Sequence, residues 1–360
     1  MTLHIFNPEH DIALAANLEN FTSPHAGRQL RYELGYLPAL WAEADDVVLV
    51  DDVREAEKNF QVFNTYVKRM GMQCEHLSKP QFVTKRELAS LTNVSRVEPW
   101  GWDLTVRSML AKNGIPETVL PSMDDIEKVR QLSHRRLTAR MLPLMQTGST
   151  LGEAHEFHDS DALRSWQQAH GSIVIKAPWS SSGRGVRFFK DAAWNANQEG
   201  WLNNVLKNQG SVMAEPYYNK VKDFAMEFEC IAGKVTYCGL SLFDTANGAY
   251  TGNILATEKT KEQMICRYVT EKHLHEVKDK AIMALEQLLG TDYEGPLGID
   301  MMIVNDGEAG LKLHPCVEVN LRCTMGHVAL YLSEFCNPNH DDEWVRVMRN
   351  QGTGLKLRLL

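Results

Sequence analysis

A chain of 360 residues is longer than one average domain, so two or three units with separate cores are expected. A hydrophobic share of 44%, a charged share of 23% and a formal net charge of −8, without a long Lys/Arg run, argue against nucleic acid or a membrane surface as the main partner, because phosphate affinity rests on clustered cations. No apolar run approaches the roughly 20 residues that span a bilayer, no leader-like segment is read ahead of the first strand, and the 7 cysteines form no CxxC pair, so a reducing, cytoplasmic setting without a zinc site is expected.

Leu3 to Phe6 reads as a short strand, residues 7–11 as a polar turn, and Ala13 to Asn17 as a short helix. Ala26 to Ala44 has helical character interrupted near Gly35 and Pro38, and Asp46 to Val50 is apolar enough for a buried strand. Asn59 to Met70 has helical spacing and stops at Gly71, Asn93 to Val97 is a weaker strand, and Leu104 to Asn113 is a helix that closes at Gly114. Strands separated by helices predict a small parallel α/β unit over residues 1–122. Ligands of such sheets bind beyond the carboxyl ends of the strands, which here are followed by residues 7–11, 51–54 and 98–103. Glu9, His10, Asp11, Trp100 and Trp102 are therefore candidate substrate contacts, although loops are polar in any case.

Met123 to Met145 reads as two helices joined through Ser133-His-Arg-Arg, and Asp159 to Ala169 as another, with Ser160 or Asp161 as its cap and Gly171 as its stop. Ser172 to Pro178 is a strand bearing Lys176, Val186 to Phe189 is a second strand, and a helix around Asn197 to Asn208 leads to a third strand, Ser211 to Pro216. Phe224 to Ile231, Lys234 to Leu242 and Ile299 to Val304 read as one antiparallel sheet, with a long helix, Glu271 to Leu289, inserted before the last of them. Lys312 to Arg322 completes a hairpin on that sheet. The tail is expected to carry a helix, Asp341 to Arg349, and a final strand, Leu355 to Leu359.

Two stretches carry chemistry. In Val317 to Arg322, Glu318, Asn320 and Arg322 alternate with Val317, Val319 and Leu321, so in an extended strand the polar groups share one face. A carboxylate and an amide oxygen suit Mg²⁺, which takes one or two carboxylates plus the phosphates of a nucleotide, and a fork-shaped guanidinium suits a phosphate or an oxyanion. The same alternation also fits an ordinary half-buried strand. The second stretch, Trp179 to Gly185, is a loop of small residues between two strands, just after Lys176. Small residues let backbone N–H groups approach phosphate oxygens, and the lysine adds a point charge. No GK[ST] follows, so this is not a Walker A loop.

Lys176 with the Ser180 to Gly185 loop, Met213-Ala-Glu-Pro216, Gly298-Ile-Asp300 and Glu318-Val-Asn-Leu-Arg322, in this order, resemble the ATP-grasp superfamily over residues 123 to 330. The resemblance implies a mixed α/β and α+β chain: an N-terminal Rossmann-like domain over 1–122, then a two-lobed ATP-grasp fold with a small lobe over 123–212 and a large lobe over 213–360. It implies ATP and Mg²⁺ as cofactors, with Mn²⁺ as a substitute. Lys176, Ser181, Ser182, Gly183, Gly185 and Arg135 would contact phosphates, Glu215, Pro216 and Tyr217 would receive adenine, and Asp223 would hold the ribose. Asp300, Glu318 and Asn320 would hold the metal, and Arg322 and Lys176 would act in catalysis. Pro315 and the turn at residues 305–310 leave the register of Asp300 open. The activity implied is an ADP-forming ligase that joins a small carboxylate to an amine through an acyl phosphate, with a small-molecule kinase or a nucleotide-binding regulator as alternatives. A homodimer is compatible with the resemblance.

Overall fold

The computed structural model describes residues 1–72, 80–180, 185–190, 193–246, 249–335, 345–352 and 354–359. Thr2–Ile5 (β1), Val47–Leu49 (β2), Gln81–Val83 (β3) and Arg96–Pro99 (β4) form a parallel sheet in the order β3-β2-β1-β4. Parallel neighbours need crossovers, and helices His10–Ala16, His25–Leu34 and Val53–Arg69 supply them on the first two connections. Asp52 starts the last of these helices by accepting a hydrogen bond from the Glu55 N–H at 2.9 Å. The helix therefore begins six residues before the expected Asn59. β3 escaped the sequence reading because three residues are too few to show an alternation.

Three antiparallel sheets follow. His155–Phe157 (β5), Ile173–Lys176 (β6), Val186–Phe189 (β7) and Val212–Pro216 (β8) are ordered β5-β8-β6-β7. Lys220–Ile231 (β9) and Lys234–Ser241 (β10) begin a larger sheet, and Phe243–Ala246 (β11) and Ala249–Leu255 (β12) begin a smaller one. Gly295–Asn305 (β13) and Leu311–Asn320 (β14) complete the larger sheet as β10-β9-β13-β14. Val345–Asn350 (β15) and Gly354–Leu359 (β16) complete the smaller as β11-β12-β15-β16. Helix Glu271–Leu289 lies where it is expected. The expected helix Asp341 to Arg349 is corrected: 341–344 lie outside the described residues, and Val345–Asn350 is a strand paired with β12 and β16. Val345 and Val347 are buried while Arg346 and Met348 are less so, a period of two that a β-branched stretch satisfies better as a strand. The helix of the tail is instead Met325–Ser333, started by the Thr324 side chain. Helix Ser160–His170 is capped by Asp159, whose Oδ1 accepts from the Asp161 and Ala162 N–H groups, rather than by Ser160 or Asp161.

The largest apolar core lies against one face of the β9–β13–β14 sheet. Phe224, Met226 and Phe228 of β9, Ile299 and Ile303 of β13, and Val319 of β14 pack there against helices Arg136–Met145 and Glu271–Leu289. Each such side chain contributes roughly 1.5–3 kcal/mol when fully buried. The commitment of one face to this core leaves the alternate residues of the same strands for the opposite face. A second core joins Val48, Phe60 and Phe63 of the first 70 residues to Val347, Leu355 and Leu357 of β15 and β16, so the two ends of the chain share one interior. No helix among the described residues is long and apolar enough to cross a membrane.

Candidate active site

The register of β13 on β14 decides which groups meet. Gly298 pairs with Asn320 and Asp300 with Glu318, but Met302 pairs with His314, so two positions of β13 span four of β14. The irregularity contains Pro315, which has no N–H to give to the ladder. Pairing resumes beyond it with Asp300 directly opposite Glu318, and opposed residues share a face. Asn320 Nδ2 lies 3.4 Å from Asp300 Oδ2, and Arg322 Nη2 donates to Asn320 Oδ1 at 3.0 Å. Val319 and Leu321 point the other way, into the core.

Glu227, which the sequence reading missed, joins this group. It lies on β9 opposite Gly298, and a Cβ at Gly298 or Gly326 would overlap its carboxylate. Glycine at both positions is what lets the Glu227 carboxylate lie between the strand and the following helix. The signal was available: alternation from Asp223 along β9 puts Ala225, Glu227 and Glu229 on one face, opposite Phe224, Met226 and Phe228. Burial, then the charges of Glu318 and Glu227, push the Asp300 carboxyl up to about 8. Burial pushes Glu227 up to about 7, against hydrogen bonds from Thr324 and the charge of Arg322. The carboxylates outweigh the cations here, and the face is short of positive charge.

Arg322 follows the end of β14 and donates through Nε and Nη2 to Asp11 at 3.0–3.2 Å. Burial alone would raise the Asp11 carboxyl, but Arg322 holds it below the usual carboxylate range.

Lys176 ends β6 with its side chain 9% exposed. Its Nζ donates to the Val317 carbonyl at 3.0 Å and lies 2.6 Å from Glu215 Oε1. The two share a face because Val174 pairs with Glu215. Burial raises Glu215 in spite of this lysine. Arg135, at the start of helix Arg136–Met145, donates through Nη1 to the Ala177 carbonyl and Ser180 Oγ, and through Nη2 to Glu318 Oε1 at 2.6 Å. It therefore ties the head of the small-residue loop to β14. Ser181, Ser182 and Gly183 lie outside the described residues. Gly185 closes the loop, accepting from the Ala177 N–H at 2.8 Å, and a Cβ there would overlap Ser180. Pro216 ends β8, and the ring of Tyr217, 46% exposed, sits edge-on to Phe188. Asp223, one register step from Asp300 on the same face, is paired with Lys220 at 2.5 Å.

The expected substrate group is not one pocket. Glu9 is paired with Arg31 and accepts from Ser23, and it lines a cavity of about 400 Å³ beyond the ends of β1 and β2. Asp11 faces Arg322 instead. His10 is 1% exposed, its Nδ1 is 3.3 Å from Asp103 Oδ2, and Gly101 lies close against its ring. Trp100 packs edge-on against Phe6 at 4.8 Å, and together with Trp102 it lines a different cavity.

The oxygens of Asp300, Glu318 and Asn320 fit Mg²⁺ with nucleotide phosphates, a setting in which two carboxylates and an amide suffice. Among the described residues no three His, Cys, Asp or Glu side chains are grouped to hold a metal by themselves.

No protein-family model and no curated protein matches the sequence. Solved structures do match. The biotin carboxylase domain dimer of Hydrogenobacter thermophilus 2-oxoglutarate carboxylase, in complex with MgADP, ADP and bicarbonate, superposes with a TM-score of 0.55 at 11% identity, covering 89% of this chain and 73% of that one. N5-carboxyaminoimidazole synthetase from Staphylococcus aureus complexed with ADP gives 0.50 at 12% identity, covering 97% and 82%. These neighbours are ATP-grasp enzymes.

The chain has the ATP-grasp fold. Biotin carboxylase from Campylobacter jejuni, bound to an ATP analogue, gives 0.50 at 14% identity, covering 97% and 75%. At these identities the likeness concerns the ATP-grasp fold, and the chemistry has to be argued from the residues above.

Proposed function

We propose that the chain is an ATP- and Mg²⁺-dependent, ADP-forming ligase that joins a small carboxylate to an amine. The observation that carries this reading is the Asp300–Glu318 pairing, with Asn320 and Arg322 beside it and Lys176 anchored to the same strand. This set lies in a fold whose solved relatives hold ADP and, in one case, bicarbonate.

Bound at Asp300, Glu318 and Asn320, Mg²⁺ would neutralise phosphate charge and align the phosphates. Lys176 and Arg135 would supply cations for the phosphates from the other side. A substrate carboxylate oxygen attacks the γ-phosphorus as the bond to ADP breaks. The amine nitrogen then attacks the acyl carbon, phosphate leaves, and the nitrogen loses one proton. Arg322, fixed by Asp11 and Asn320, donates to the oxyanion of that second step. No covalent enzyme intermediate is needed, because alignment and charge neutralisation supply the rate.

Residues 1–122 would shape the substrate side, 123–212 the phosphate lid, and 213–360 the metal face. A homodimer is in keeping with the dimer of the biotin carboxylase relative. The test is ADP release with Mg²⁺ against mixtures of amino acids, dipeptides and other small acids, with mass analysis of the product. Adducts one water lighter than acid plus amine are expected. A phosphorylated product stable to added amines would replace the ligase reading with a kinase.

A further inference from the structure

The cavity that Trp100 and Trp102 line has a volume of about 450 Å³ and lies along the same strands as the metal face. Two relationships place it there. Along β9, Ala225 pairs with Asp300, Glu227 with Gly298 and Glu229 with Pro296, all on one face of the sheet. Glu229 and Pro296 line the cavity. On the other side Cys323, the residue after Arg322, also lines it, and its N–H donates to the Trp100 carbonyl at 2.8 Å. Arg322 itself, whose guanidinium is turned to Asp11 and Asn320, does not line the cavity; the next residue of the chain does.

Its walls select a charge. Trp41, Trp100, Trp102, Tyr293 and Tyr331 contribute rings, whose faces carry negative potential. Glu98 is already paired, with Arg96 Nε at 2.8 Å and His4 Nδ1 at 3.2 Å, so the acidic character of the lining rests on Glu229 and Glu294. Glu229 and Glu294 have no ion pair among the described residues. Burial pushes His327 down to about 4, so it adds no cation here; its Nδ1 lies 3.2 Å from both the Thr324 nitrogen and Glu227 Oε2, and its Nε2 is 3.2 Å from the Phe228 carbonyl. An anion here would meet like charge, and a neutral ring would leave the carboxylates unused. By contrast, the cavity of about 400 Å³ beyond β1 and β2 mixes Arg28, Arg31 and Lys85 with Glu9, Asp51 and Asp103, and so does not choose a sign.

We propose that this aromatic, acid-lined cavity seats the amine substrate as an ammonium ion carried on an apolar or aromatic body. The assignment rests on the ligase reading for its role and on the cavity walls for its chemistry. An ammonium over indole and phenol faces gains cation–π attraction, and Glu229 and Glu294 at the mouth attract it from solution. To react, the ammonium gives one proton to water at the cavity mouth, and the free amine then supplies the lone pair for the attack described above, which releases the second proton.

The experiment is calorimetric titration of the full chain with phenethylamine, 3-phenylpropionate and 2-phenylethanol, molecules of similar shape that differ in charge, each with and without MgADP. Phenethylamine is expected to bind about tenfold or more tighter than the carboxylate. The Glu229→Gln, Glu294→Gln double variant, altered only at exposed positions, is expected to weaken the amine about threefold or more and leave the alcohol unchanged. Trp102→Ala is expected to weaken both. The proposal is overturned if the carboxylate binds as well as the amine, if no probe binds, or if the double variant binds the amine as the wild type does. ADP titration on the same samples separates the two readings: loss of ammonium selectivity with ADP binding intact sinks this assignment alone, and ammonium selectivity without ADP binding sinks the ligase.

Discussion

Arg322 and Asp11 form an ion pair across 311 positions of sequence, with Arg322 Nε and Nη2 both donating to the Asp11 carboxylate. The pair fastens the segment after β1 to the end of β14, beside the Cys323 N–H bond to the Trp100 carbonyl that joins the same two regions. The side chains are only 18% and 16% exposed, and a lone charge left there would be poorly solvated. Asp11→Ala is expected to cost about 3–5 kcal/mol, the range for breaking a buried pair on one side. Urea unfolding followed by circular dichroism would report it as a lower midpoint with an unchanged slope. A midpoint within error of wild type would show that the contact does not hold the two sheets together.

Arg322 itself is assigned to an oxyanion, and that assignment is separable from its structural role. Arg322→Ala is expected to lower kcat about 10²- to 10³-fold, the penalty for losing one fixed donor at developing negative charge. Arg322→Lys should recover little, because an ammonium cannot reach Asp11 and Asn320 in the forked geometry. Asp11→Asn, which keeps a hydrogen-bond partner for Arg322, should retain more activity than either. Equal turnover in wild type and Arg322→Ala, with ADP binding intact, would remove Arg322 from the chemistry.

The metal face predicts a difference between two ligands. Glu318→Gln is expected to weaken MgADP binding more than metal-free ADP binding, since Glu318 faces the proposed metal ligand Asp300 while its bond to Arg135, a proposed phosphate contact, bears on both forms. Asn320→Ala should act in the same direction. Calorimetry with and without Mg²⁺ measures both. If Mg²⁺ strengthens ADP binding equally in wild type and Glu318→Gln, the oxygens of β14 do not hold the ion.

What the sequence made legible follows from periodicity. The alternation of Glu318, Asn320 and Arg322 against Val319 and Leu321 survives in the structure because the core needs the apolar set, which leaves the polar set no other face. Helix Glu271–Leu289 and strand Val186–Phe189 have the same bounds in both readings. Asp300 was ambiguous because the extra residues around Pro315 change the pairing, and no local pattern states where a ladder resumes. Glu227 was overlooked because one carboxylate in an apolar strand resembles a solvent-facing residue until Gly298 and Gly326 are seen to make room for it. His10 was read as available because a polar loop conceals how tightly Gly101 and Asp103 enclose it. Trp100 and Trp102 were grouped with Glu9 and Asp11 by their shared position after strands, whereas the direction of each side chain divides them between cavities.

His4 gives a pH dependence remote from the active site. Its Nε2 is 3.2 Å from Asp46 Oδ2 and its Nδ1 is 3.2 Å from Glu98 Oε2. Burial acts to lower its pKa, but these two carboxylates outweigh burial and raise it above the ordinary 6.5. A group raised on folding adds stability that is complete below its unfolded value and fades as pH rises through its folded value. Asp46 and Glu98 are both held low, so they stay ionised across that window. The stability lost in His4→Gln is therefore expected to be larger at about pH 5.5 than at about pH 8.5. Urea midpoints of both proteins at the two values measure it, and a loss that grows with pH would mean that His4 is neutral in the folded state.

The close approach of Glu227 to β13 can be measured as a coupling. A methyl group at position 298 would overlap Glu227 Oε2 and lie 3.1 Å from the Thr324 methyl, so Gly298→Ala must displace one or the other. Overpacking of this kind costs about 1–3 kcal/mol. Truncating Glu227 removes the obstacle, and it also removes a carboxyl that burial pushes up to about 7. Gly298→Ala in the Glu227→Ala background should thus be clearly milder than in wild type, with a coupling of about 1 kcal/mol or more. Additive effects would show that the two residues do not touch.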